Sequence, residues 1–420
     1  MIREEVAPRA DWQTIIRDEG IVYSQSVTPS GQTSEYWNES AVYSFTLPEV
    51  ELLERRADQL YQMCLRAVDY MLSGAMGTLG LTDEAFALAA RSWQVKEPSL
   101  YGRFDIVWDS SADVFKLLEL NGDTPTGVPE GWVSQWSRAE ALHPDLGEGD
   151  LLADQWNGMW EAAVRRFAAL RPTTADGQNP TLFLVSTDQD GEGEDECNLE
   201  VVASAAISAG WDTVIGRVEN LGFDYVADRW VLRSIAEDGT ESDQFVDYIF
   251  KLYPWEQMLD DQMGPVLLEK YDRMKMWLEP AWKMALSTKL LLVALWRLYP
   301  NHPFLLEAAT SPLSGDYVEK PIFGREGAGI TVRRDGVEIV ADGDYDSPFA
   351  VYQRYCQIPA FVDSAGALHY PVLGIWLIDG ETWGVGVRES DGPITDYYCR
   401  FVPNLIDKTR RATPIETQAI

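Results

Sequence analysis

Two short runs of alternating residues, 103–108 and 115–121, place the tightest constraint on how this chain can fold. Apolar side chains stand at every second position of the first run, and a polar segment, Asp109 to Asp113, separates it from the second. A period of two predicts a β-strand, and two such strands around a polar turn predict a hairpin. Because one face of this hairpin is strongly apolar, the hairpin has to pack against a substantial core.

The composition is consistent with a core of that size. Of the 420 residues, 46% are hydrophobic and 16 are Trp, which excludes a disordered chain. The formal net charge is −33, so we expect no general affinity for nucleic acid or for an anionic membrane. Two interpretations of the charge stay open: a cationic partner such as a polyamine, or solubility alone.

The sequence predicts no membrane span and no site built on cysteine or histidine. The longest apolar run, Leu290 to Trp296, is far shorter than the roughly 20 residues that a bilayer requires. The first 13 residues lack the apolar region of a secretory signal. The four cysteines are far apart, and two of the three histidines directly precede a proline, which argues against a disulfide framework, a zinc site or a Ser-His-Asp site. We therefore expect a cytoplasmic protein.

The spacing of apolar residues predicts an α+β fold with soft boundaries at 1–100, 101–270 and 271–420. Helices are predicted at 47–72, 82–90, 201–209 and 277–299. Strands are predicted at 181–185, 317–322, 330–334, 349–352, 372–378 and 382–388, and the acidic segment 188–196 is predicted to be a loop. Turns at Asp335-Gly336 and at 379–381 join two of the strand pairs, so the C-terminal half should hold a largely antiparallel sheet.

The hairpin is also a candidate metal site. If Asp105 lies opposite Glu119, then Arg103 falls opposite Asn121, and all four side chains share one face. Two carboxylates and an amide oxygen are hard ligands of the kind that Mg²⁺ takes, with water and phosphate oxygens completing the coordination. The alternative is the polar face of an exposed hairpin.

A glycine-containing loop at 323–329 follows a strand that carries Lys320, and Arg325 lies within the loop. Glycines let backbone N–H groups approach phosphates closely, although neither a Walker A loop nor a Rossmann fingerprint is present. Only 9 of the 34 basic residues are lysines, and both Lys289 and Lys320 stand among apolar neighbours. A buried lysine needs an anionic partner, and phosphate is a suitable one. An ordinary hairpin loop is the alternative.

Polar residues near the C-terminus form a third candidate group. Gln353 follows a predicted strand, and Arg388 and Arg400 stand at or near strand ends, where arginines can bind carboxylates or phosphates with both nitrogens. Surface ion pairs are the alternative. Taken together, a divalent-metal site, two semi-buried lysines and a glycine loop predict binding of a nucleoside triphosphate without a P-loop.

Several segments of the chain resemble the glutathionylspermidine synthase family. They are LYGRFD (100–105), LELNGDTPT (118–126), FKLYPWE (250–256), WKMALSTK (282–289), YVEKPIFGREG (317–327) and CRFVP (399–403). The similarity spans about residues 12–406 and is greatest to members that carry only the synthetase part, the acid–amine ligases. The resemblance implies an ATP-grasp fold with a preceding pre-ATP-grasp domain, in a permuted order in which the metal ligands precede the nucleotide lysines.

The resemblance also implies roles for individual residues. Asp105, Glu119 and Asn121 match magnesium ligands, Arg103 matches an arginine at the transferring phosphate, and Arg388 matches one that steadies the acyl phosphate. Lys289, Lys320, Glu326, Gly327 and Gln353 match nucleotide-binding positions, and Arg325 covers the phosphates from a lid loop. Thr124 and Thr126 stand where the family has serines near the carboxylate of the acid substrate, and Glu194 and Asp195 match an acidic pair near the substrates. Leu252 and the acidic segment depart from the family pattern on the substrate side, which leaves the acid and the amine unidentified.

The function implied is an ATP-dependent carbon–nitrogen ligase that uses ATP and Mg²⁺. It would join a small carboxylic acid or peptide to an amine through an acyl phosphate, and polyamines are among the candidate amines. Two alternatives remain open at this point. One is a nucleotide-binding regulatory module that has lost turnover, and the other is a ligase of the same fold with a non-amine acceptor such as a thiol.

Overall fold

The structure is a computed structural model that describes residues 1–27, 33–143, 153–174, 177–187, 193–235, 241–324, 327–340, 349–392 and 398–410. The α-helices in these residues are α1 (Trp12–Asp18), α2 (Leu47–Leu72), α3 (Asp83–Gln94), α4 (Gln135–Leu142), α5 (Met159–Leu170), α6 (Glu194–Ser208), α7 (Trp255–Asp260), α8 (Gly264–Lys270), α9 (Met284–Ser287) and α10 (Leu290–Leu298). A π-helical turn covers Pro129–Ser134, and 3₁₀ turns cover Val218–Asn220, Tyr271–Arg273 and Ala281–Lys283.

The first strands are β1 (Ile2–Glu5), β2 (Gln25–Val27), β3 (Thr33–Glu35), β4 (Ala41–Phe45), β5 (Ala75–Thr78), β6 (Tyr101–Asp109), β7 (Val114–Asn121), β8 (Ala153–Asp154), β9 (Thr181–Ser186), β10 (Asp212–Arg217), β11 (Leu221–Asp224), β12 (Arg229–Ile235), β13 (Glu241–Val246), β14 (Tyr248–Leu252) and β15 (Met276–Leu278). The remaining described strands are β16 (Ala308–Ala309), β17 (Tyr317–Pro321), β18 (Thr331–Arg334), β19 (Val337–Val340), β20 (Ala350–Arg354), β21 (Phe361–Val362), β22 (Leu368–Ile378), β23 (Glu381–Ser390), β24 (Arg400–Val402) and β25 (Asn404–Asp407). The mixture of helix and sheet agrees with the α+β prediction.

Two antiparallel sheets carry the predicted site residues of the hairpin together with Lys320, Gln353 and Arg388. The central sheet has the order β24-β23-β22-β6-β7, with β21 pairing β22 at its side. The second sheet has the order β16-β20-β17-β18-β19. A separate parallel sheet, β10-β9-β14-β15, packs against α5 and α6. The antiparallel prediction for the C-terminal half is therefore confirmed. The three-region division stays a prediction, and the central sheet joins strands of the second and third regions.

Helix α2 is the longest described helix and anchors the main core. Thr46 and Glu49 form a reciprocal capping box at its N-terminus, which satisfies two backbone N–H groups that would otherwise lack partners. Its apolar face packs against α10 and against β23 of the central sheet. The predicted bounds of this helix are confirmed. No helix in the described part of the chain is both long and apolar enough to span a bilayer.

The predicted hairpin is present with the predicted register. Arg103 pairs with Asn121 and Asp105 pairs with Glu119 across β6 and β7, and a bulge follows Asp105. The apolar face of β6 belongs to the main core, where Trp108 stacks on Phe45 with ring centroids 5.8 Å apart. The hairpins at 331–340 and 368–390 are also confirmed.

Three local predictions were wrong at element boundaries. Helix α3 continues to Gln94, beyond the predicted end at residue 90. Gln353 lies inside strand β20 and Arg388 inside β23, rather than after or at the end of a strand. Glu194 to Glu196 form the first turn of α6, where negative charge is favoured by the helix dipole, although a loop was predicted there. Residues 188–192 of that acidic segment lie outside the described residues.

The single helix predicted at 277–299 is also wrong. Residues 276–278 form strand β15, and the following segment is divided into a 3₁₀ turn, α9 and α10. Pro280 disfavours helical backbone at Glu279, and Glu279 instead accepts hydrogen bonds from the backbone N–H groups of Leu100 and Tyr101. Thr288 has extended backbone, and the N–H of Lys289 donates to the carbonyl of Ile322 at 2.8 Å. Lys289 therefore lies at a break between two helices.

A buried ion pair joins the parallel sheet to the loop after β7. Lys251 Nζ lies 2.6 Å from Asp123 Oδ1, both side chains are fully buried, and the N–H of Trp255 donates to the other oxygen of Asp123 at 3.0 Å. Burial lowers the pKa of Lys251, and the charge of Asp123 opposes that shift. The pair thereby holds the chain that leads from the hairpin into residues 124–127.

We predict that Lys251→Met lowers the free energy of unfolding by about 3–5 kcal/mol, because a buried carboxylate is left without its counter-charge. The double variant Asp123→Asn/Lys251→Met should recover most of that loss. Urea denaturation of the wild type, both single variants and the double variant measures this coupling. Additive losses in the double variant would show that the pair contributes no mutual stabilisation.

Candidate active site

The polar face of the β6–β7 hairpin brings Asp105, Glu119 and Asn121 together. Asn121 Nδ2 lies 3.3 Å from Asp105 Oδ2 and 3.4 Å from Glu119 Oε1. Their convergence follows from the strand register, because residues directly opposite and two apart share a face. Asp105 is only 4% exposed, so its charge needs compensation close by.

Two arginines compensate the charge of Asp105. Arg103 Nε lies 3.2 Å from Asp105 Oδ1, and Arg388 on β23 forms an ion pair with Asp105 Oδ2. Arg103 also donates to the carbonyl of Thr126 at 2.5 Å, and its guanidinium lies over the ring of Trp376 at 5.7 Å from the centroid. Burial disfavours charge on Arg388, but Asp105 outweighs it and raises the pKa of Arg388 above its ordinary value.

Two lysines compensate the charge of Glu119. Lys289 Nζ lies 3.1 Å from Glu119 Oε2 and also donates to the carbonyl of Gly324. Lys320 Nζ donates to the carbonyl of Leu118 at 3.0 Å. Burial alone would raise the pKa of Glu119, but the positive charges of Lys289, Lys320 and Arg388 hold it well below its ordinary value. Burial lowers the pKa of Lys320 to about 8, against the opposing charge of Glu119.

The charges around the hairpin do not balance. Two carboxylates, Asp105 and Glu119, face four basic side chains supplied by β6, β23, β17 and the break before α10. In a low-dielectric cleft such an excess of positive charge is costly unless an anion completes the group. The arrangement therefore favours a ligand with several negative charges.

A divalent cation would fit the same residues. The donor set consists of carboxylate and amide oxygens, which is the chemistry that Mg²⁺ prefers. Among the described residues no group of three His, Cys, Asp or Glu side chains could hold a metal by itself. Mg²⁺ is suited to that situation, because it keeps several waters and takes further ligands from phosphate oxygens.

The hairpin face opens into a cleft of about 1700 Å³, including the solvent at its mouth. Of the predicted site residues, Arg103, Asp105, Glu119, Asn121, Thr124, Thr126, Glu194, Lys320, Gly327, Gln353 and Arg388 line this cleft. Lys289 lines an adjoining pocket of about 440 Å³ and reaches the cleft through Glu119, which borders both. Asp195 does not line the cleft as described, and Arg325 and Glu326 lie outside the described residues.

One end of the cleft is apolar and is formed by the second sheet. Val318, Ile330, Val332 and Ile358 line it, with Gln353 at its base. Gln353 donates to the carbonyl of Leu117 at 2.9 Å, and so ties this sheet to the hairpin. An apolar slot beside a cluster of basic side chains is the arrangement expected for a flat base attached to phosphates.

The opposite end is formed by residues 124–127, by α6 and by the N-terminal segment. Tyr23, Tyr36, Trp376 and Phe401 line it together with Glu194. Sequence reasoning missed Tyr23 and Tyr36, whose surroundings in the chain carry no motif. It also missed the pair Lys251 and Asp123, although Lys251 stands between apolar residues in the same way as Lys289 and Lys320.

The third predicted group separates into two parts. Arg388 lies in the cleft on Asp105, whereas Arg400 pairs with Asp391 at 2.6 Å and with Glu389 at 3.3 Å. The surface-pair alternative therefore describes only the pair of Arg400 with exposed Asp391, because Glu389 is buried and Arg388 lies in the cleft.

Comparison with known proteins places these features in context. The model of the family described as glutathionylspermidine synthase preATP-grasp matches residues 3–407. A protein of Haemophilus influenzae with the provisional name acid–amine ligase is 33% identical over 389 residues, which are 90% of this chain and 92% of that protein. Trypanothione synthetase of Crithidia fasciculata is 24% identical over 75% of this chain and 48% of its own length.

Two further similarities differ in the share of each chain that they cover. The bifunctional glutathionylspermidine synthetase/amidase of Escherichia coli is 24% identical over 76% of this chain and 52% of its own length. The chain thus spans about half the length of that protein and of the trypanothione synthetase. The solved structure of a glutathione synthetase-like effector from Globodera pallida, in its apo form, has a TM-score of 0.54 and 12% identity, covering 96% of this chain and 99% of that one. That likeness concerns the fold alone.

We predict that Lys320 titrates near pH 8 and that Glu119→Gln lowers its pKa further, because the nearby negative charge that favours the ammonium form is removed. Carbon-13 NMR of lysine-labelled protein measures this, since only nine lysines contribute signals. Lys320→Arg identifies the resonance by its disappearance. A titration of Lys320 at its ordinary value, or an upward shift in Glu119→Gln, would contradict the arrangement of charges.

Proposed function

The chain belongs to the glutathionylspermidine synthase family, and from its cleft we propose that it is an ATP-dependent carbon–nitrogen ligase. The substrates we propose are a small carboxylic acid or peptide and an amine, polyamines among the candidates. The observation that carries the proposal is the hairpin face, where two carboxylates meet four basic side chains at the centre of one cleft. The relatives whose names specify a reaction are ligases or synthetases.

For the nucleotide we propose that the phosphates lie against Lys320 and Lys289 and that the base lies in the apolar slot near Gln353. The backbone at Gly327 supports this placement, since its φ of +73° lets the chain bend at the edge of the cleft. Arg325 and Glu326, which we propose as lid and nucleotide residues, directly precede Gly327 in the sequence. The fold we propose is an ATP-grasp with a preceding pre-ATP-grasp domain, permuted because the hairpin precedes both lysines in the chain.

Asp105, Glu119 and Asn121 are the residues that we propose to hold Mg²⁺. The ion would neutralise phosphate charge and orient the triphosphate when bound. Binding of the magnesium nucleotide would also relieve the present imbalance, because the arginines and lysines that now pair with the two carboxylates could turn to phosphate oxygens.

The reaction we propose has two steps. An oxygen of the substrate carboxylate attacks the γ-phosphorus of ATP, ADP leaves, and an acyl phosphate forms. The nitrogen of the amine then attacks the carbonyl carbon, the bond to the phosphate oxygen breaks, and an amide and inorganic phosphate are released. In this proposal Arg103 and Arg388 stabilise the charge on the transferring phosphoryl group and on the acyl phosphate, and Thr124 and Thr126 bind the substrate carboxylate; all four residues line the cleft.

This chemistry needs no nucleophile from the protein, so most of the rate acceleration would come from positioning and electrostatics. That agrees with a cleft in which the charged side chains are already held by hydrogen bonds to backbone carbonyls. A silent nucleotide-binding module would not require Arg103 and Arg388 to converge on the same carboxylate as the metal site.

The test of the proposed function is ADP release by the wild-type protein with ATP, Mg²⁺ and pools of amines and peptides, followed by mass determination of the condensed product. We expect ADP release that depends on both pools. Binding of ATP without release in any pool would instead favour the regulatory module, and release that depends on thiols and not on amines would favour the other acceptor.

We predict that Asp105→Asn lowers kcat by at least about 100-fold with Mg²⁺ present, since a metal ligand and the counter-charge of two arginines are lost together. Without Mg²⁺ its affinity for ATP should equal or exceed that of the wild type, because a negative charge facing the phosphates is removed. Steady-state kinetics and ATP titration measure both effects.

Asp113→Asn is the matched control for this prediction. Asp113 lies at the turn end of the same hairpin and pairs with Arg56 at 2.7 Å, away from the cleft. Its backbone φ of 51° is one that Asn also tolerates. We expect wild-type turnover in the control, and wild-type turnover in Asp105→Asn would remove the metal assignment.

A further inference from the structure

A cluster of two tyrosines and a buried glutamate lies at the end of the cleft away from the apolar slot. The rings of Tyr23 and Tyr36 are 5.4 Å apart, and both residues line the cleft. Behind them Glu130 is fully buried, and it accepts a hydrogen bond from the Tyr23 hydroxyl at Oε1 at 2.8 Å. Tyr36 lies close enough to the same carboxylate for the charge of Glu130 to act on its hydroxyl. The proposed mechanism gives none of these three residues a role.

This arrangement fixes the hydrogen-bonding character of Tyr23. A phenol has one proton and can donate it only once, so a hydroxyl that donates to a carboxylate offers lone pairs to any other partner. Burial, reinforced by the charge of Glu130, raises the pKa of Tyr23 and of Tyr36 well above the ordinary value, so both keep their protons. Toward the cleft, Tyr23 therefore acts as a hydrogen-bond acceptor, and the ring of Tyr36 lies beside it.

The charged groups nearby also favour a cationic ligand. Glu194 lines this end of the cleft, and its charge acts on both tyrosines. Oε2 of Glu130 is buried and has no hydrogen-bond partner among the described residues. A group that donates hydrogen bonds and carries positive charge satisfies both conditions, whereas a carboxylate or phosphate would be repelled.

The position of the cluster relates it to the reacting groups. Gly127 separates the two regions: a Cβ added there would lie 3.7 Å from the Arg103 guanidinium, 3.8 Å from Glu130 Oε2 and 3.9 Å from the Trp376 ring. Arg103 is the arginine that we propose to act at the transferring phosphoryl group. A ligand bound at the tyrosines is thus next to the carboxylate that is to be activated, at the opposite end of the cleft from the nucleoside.

We propose that Tyr23 and Tyr36, oriented by Glu130, form the recognition site for the ammonium group of an aliphatic amine substrate. The proposal rests on the proposed ligase function, because it names where an ammonium group of the amine substrate binds. The nitrogen that attacks the acyl phosphate is a different one of the same substrate and is neutral, since an ammonium has no lone pair. Tyr23 and Tyr36 contact the substrate, and Glu130 is a positioning residue that acts through them, by accepting the hydrogen bond of Tyr23 and by its charge beside Tyr36. The site selects a cationic amine over a neutral hydroxyl compound of the same shape.

The experiment compares Tyr23→Phe, Tyr36→Phe and Glu130→Gln with the wild type, using 1,4-diaminobutane as the probe and 1,4-butanediol as its neutral counterpart. Calorimetry in the presence of Mg²⁺ and a non-hydrolysable ATP analogue gives the dissociation constants. We expect the wild type to bind the diamine and not the diol, and each variant to bind the diamine about tenfold or more weakly, because a hydrogen bond to a charged group is lost or reversed. The affinity for the ATP analogue should not change.

Tyr253→Phe is the matched control. The Tyr253 hydroxyl donates to Asp261 Oδ2 at 2.8 Å, a bond of the same kind, but Tyr253 does not line the cleft as described. This variant should bind the diamine as the wild type does. Near-UV circular dichroism identifies any variant that is not folded, and the two Tyr→Phe variants decide the question if Glu130→Gln fails to fold.

The kinetic consequence separates recognition from a merely structural role. In amine-dependent ADP release we expect the KM for the amine to rise in the three variants, with the KM for ATP unchanged. A variant that weakened the whole fold would change both constants.

Three results would overturn the proposal: equal binding of diol and diamine, absence of diamine binding to the wild type, or affinities within about twofold of the wild type in every folded variant. Diamine binding that behaves as expected, together with no amine-dependent ADP release, would sustain the ammonium site and overturn the ligase function. Amine-dependent release with unaltered amine KM in the variants would do the reverse.

Discussion

The arrangement of the cleft depends on the pairing of Asp105 with Glu119 across one antiparallel hairpin. Strand register puts two negative charges side by side in a place where water is scarce, and such a pair is stable only with positive charge around it. The surrounding strands provide Arg103, Arg388 and Lys320, and a break between two helices provides Lys289. Four basic side chains thus face two carboxylates, and this excess of two positive charges favours the binding of a polyanion.

The cleft is positively charged in a molecule whose formal net charge is −33. A surface so acidic repels a free nucleotide at long range, and the attraction has to come from groups within about a Debye length of the phosphates. Concentrating four basic side chains in one cavity with low-dielectric walls focuses their field there. Glu194 lines the end of the same cleft beyond Arg103, so the two ends differ in charge.

Local patterns predicted the parts of this arrangement that depend on neighbours in the chain. The alternation of apolar and polar residues predicted the hairpin and its register, and helical spacing predicted both ends of α2 correctly. The helix predicted at 277–299 was wrong because Pro280 and a distant backbone partner of Lys289, Ile322, outweigh helical spacing. Lys251 could have been found by the argument applied to Lys289 and Lys320. The contact of Glu130 with Tyr23 could not, since residues 107 positions apart meet only through the fold.

The central sheet has one more consequence, for the order in which the molecule assembles. Strand β6 is hydrogen-bonded on one side to β7, which follows it almost at once, and on the other side to β22, about 260 residues later in the chain. Closing a loop of that length is slow compared with forming a hairpin. During synthesis the acidic hairpin must therefore emerge from the ribosome long before Arg388 can reach it. The cleft is complete only once β23 and β24 have joined the sheet, and a chain interrupted before β23 would lack Arg388 and Phe401 from its lining.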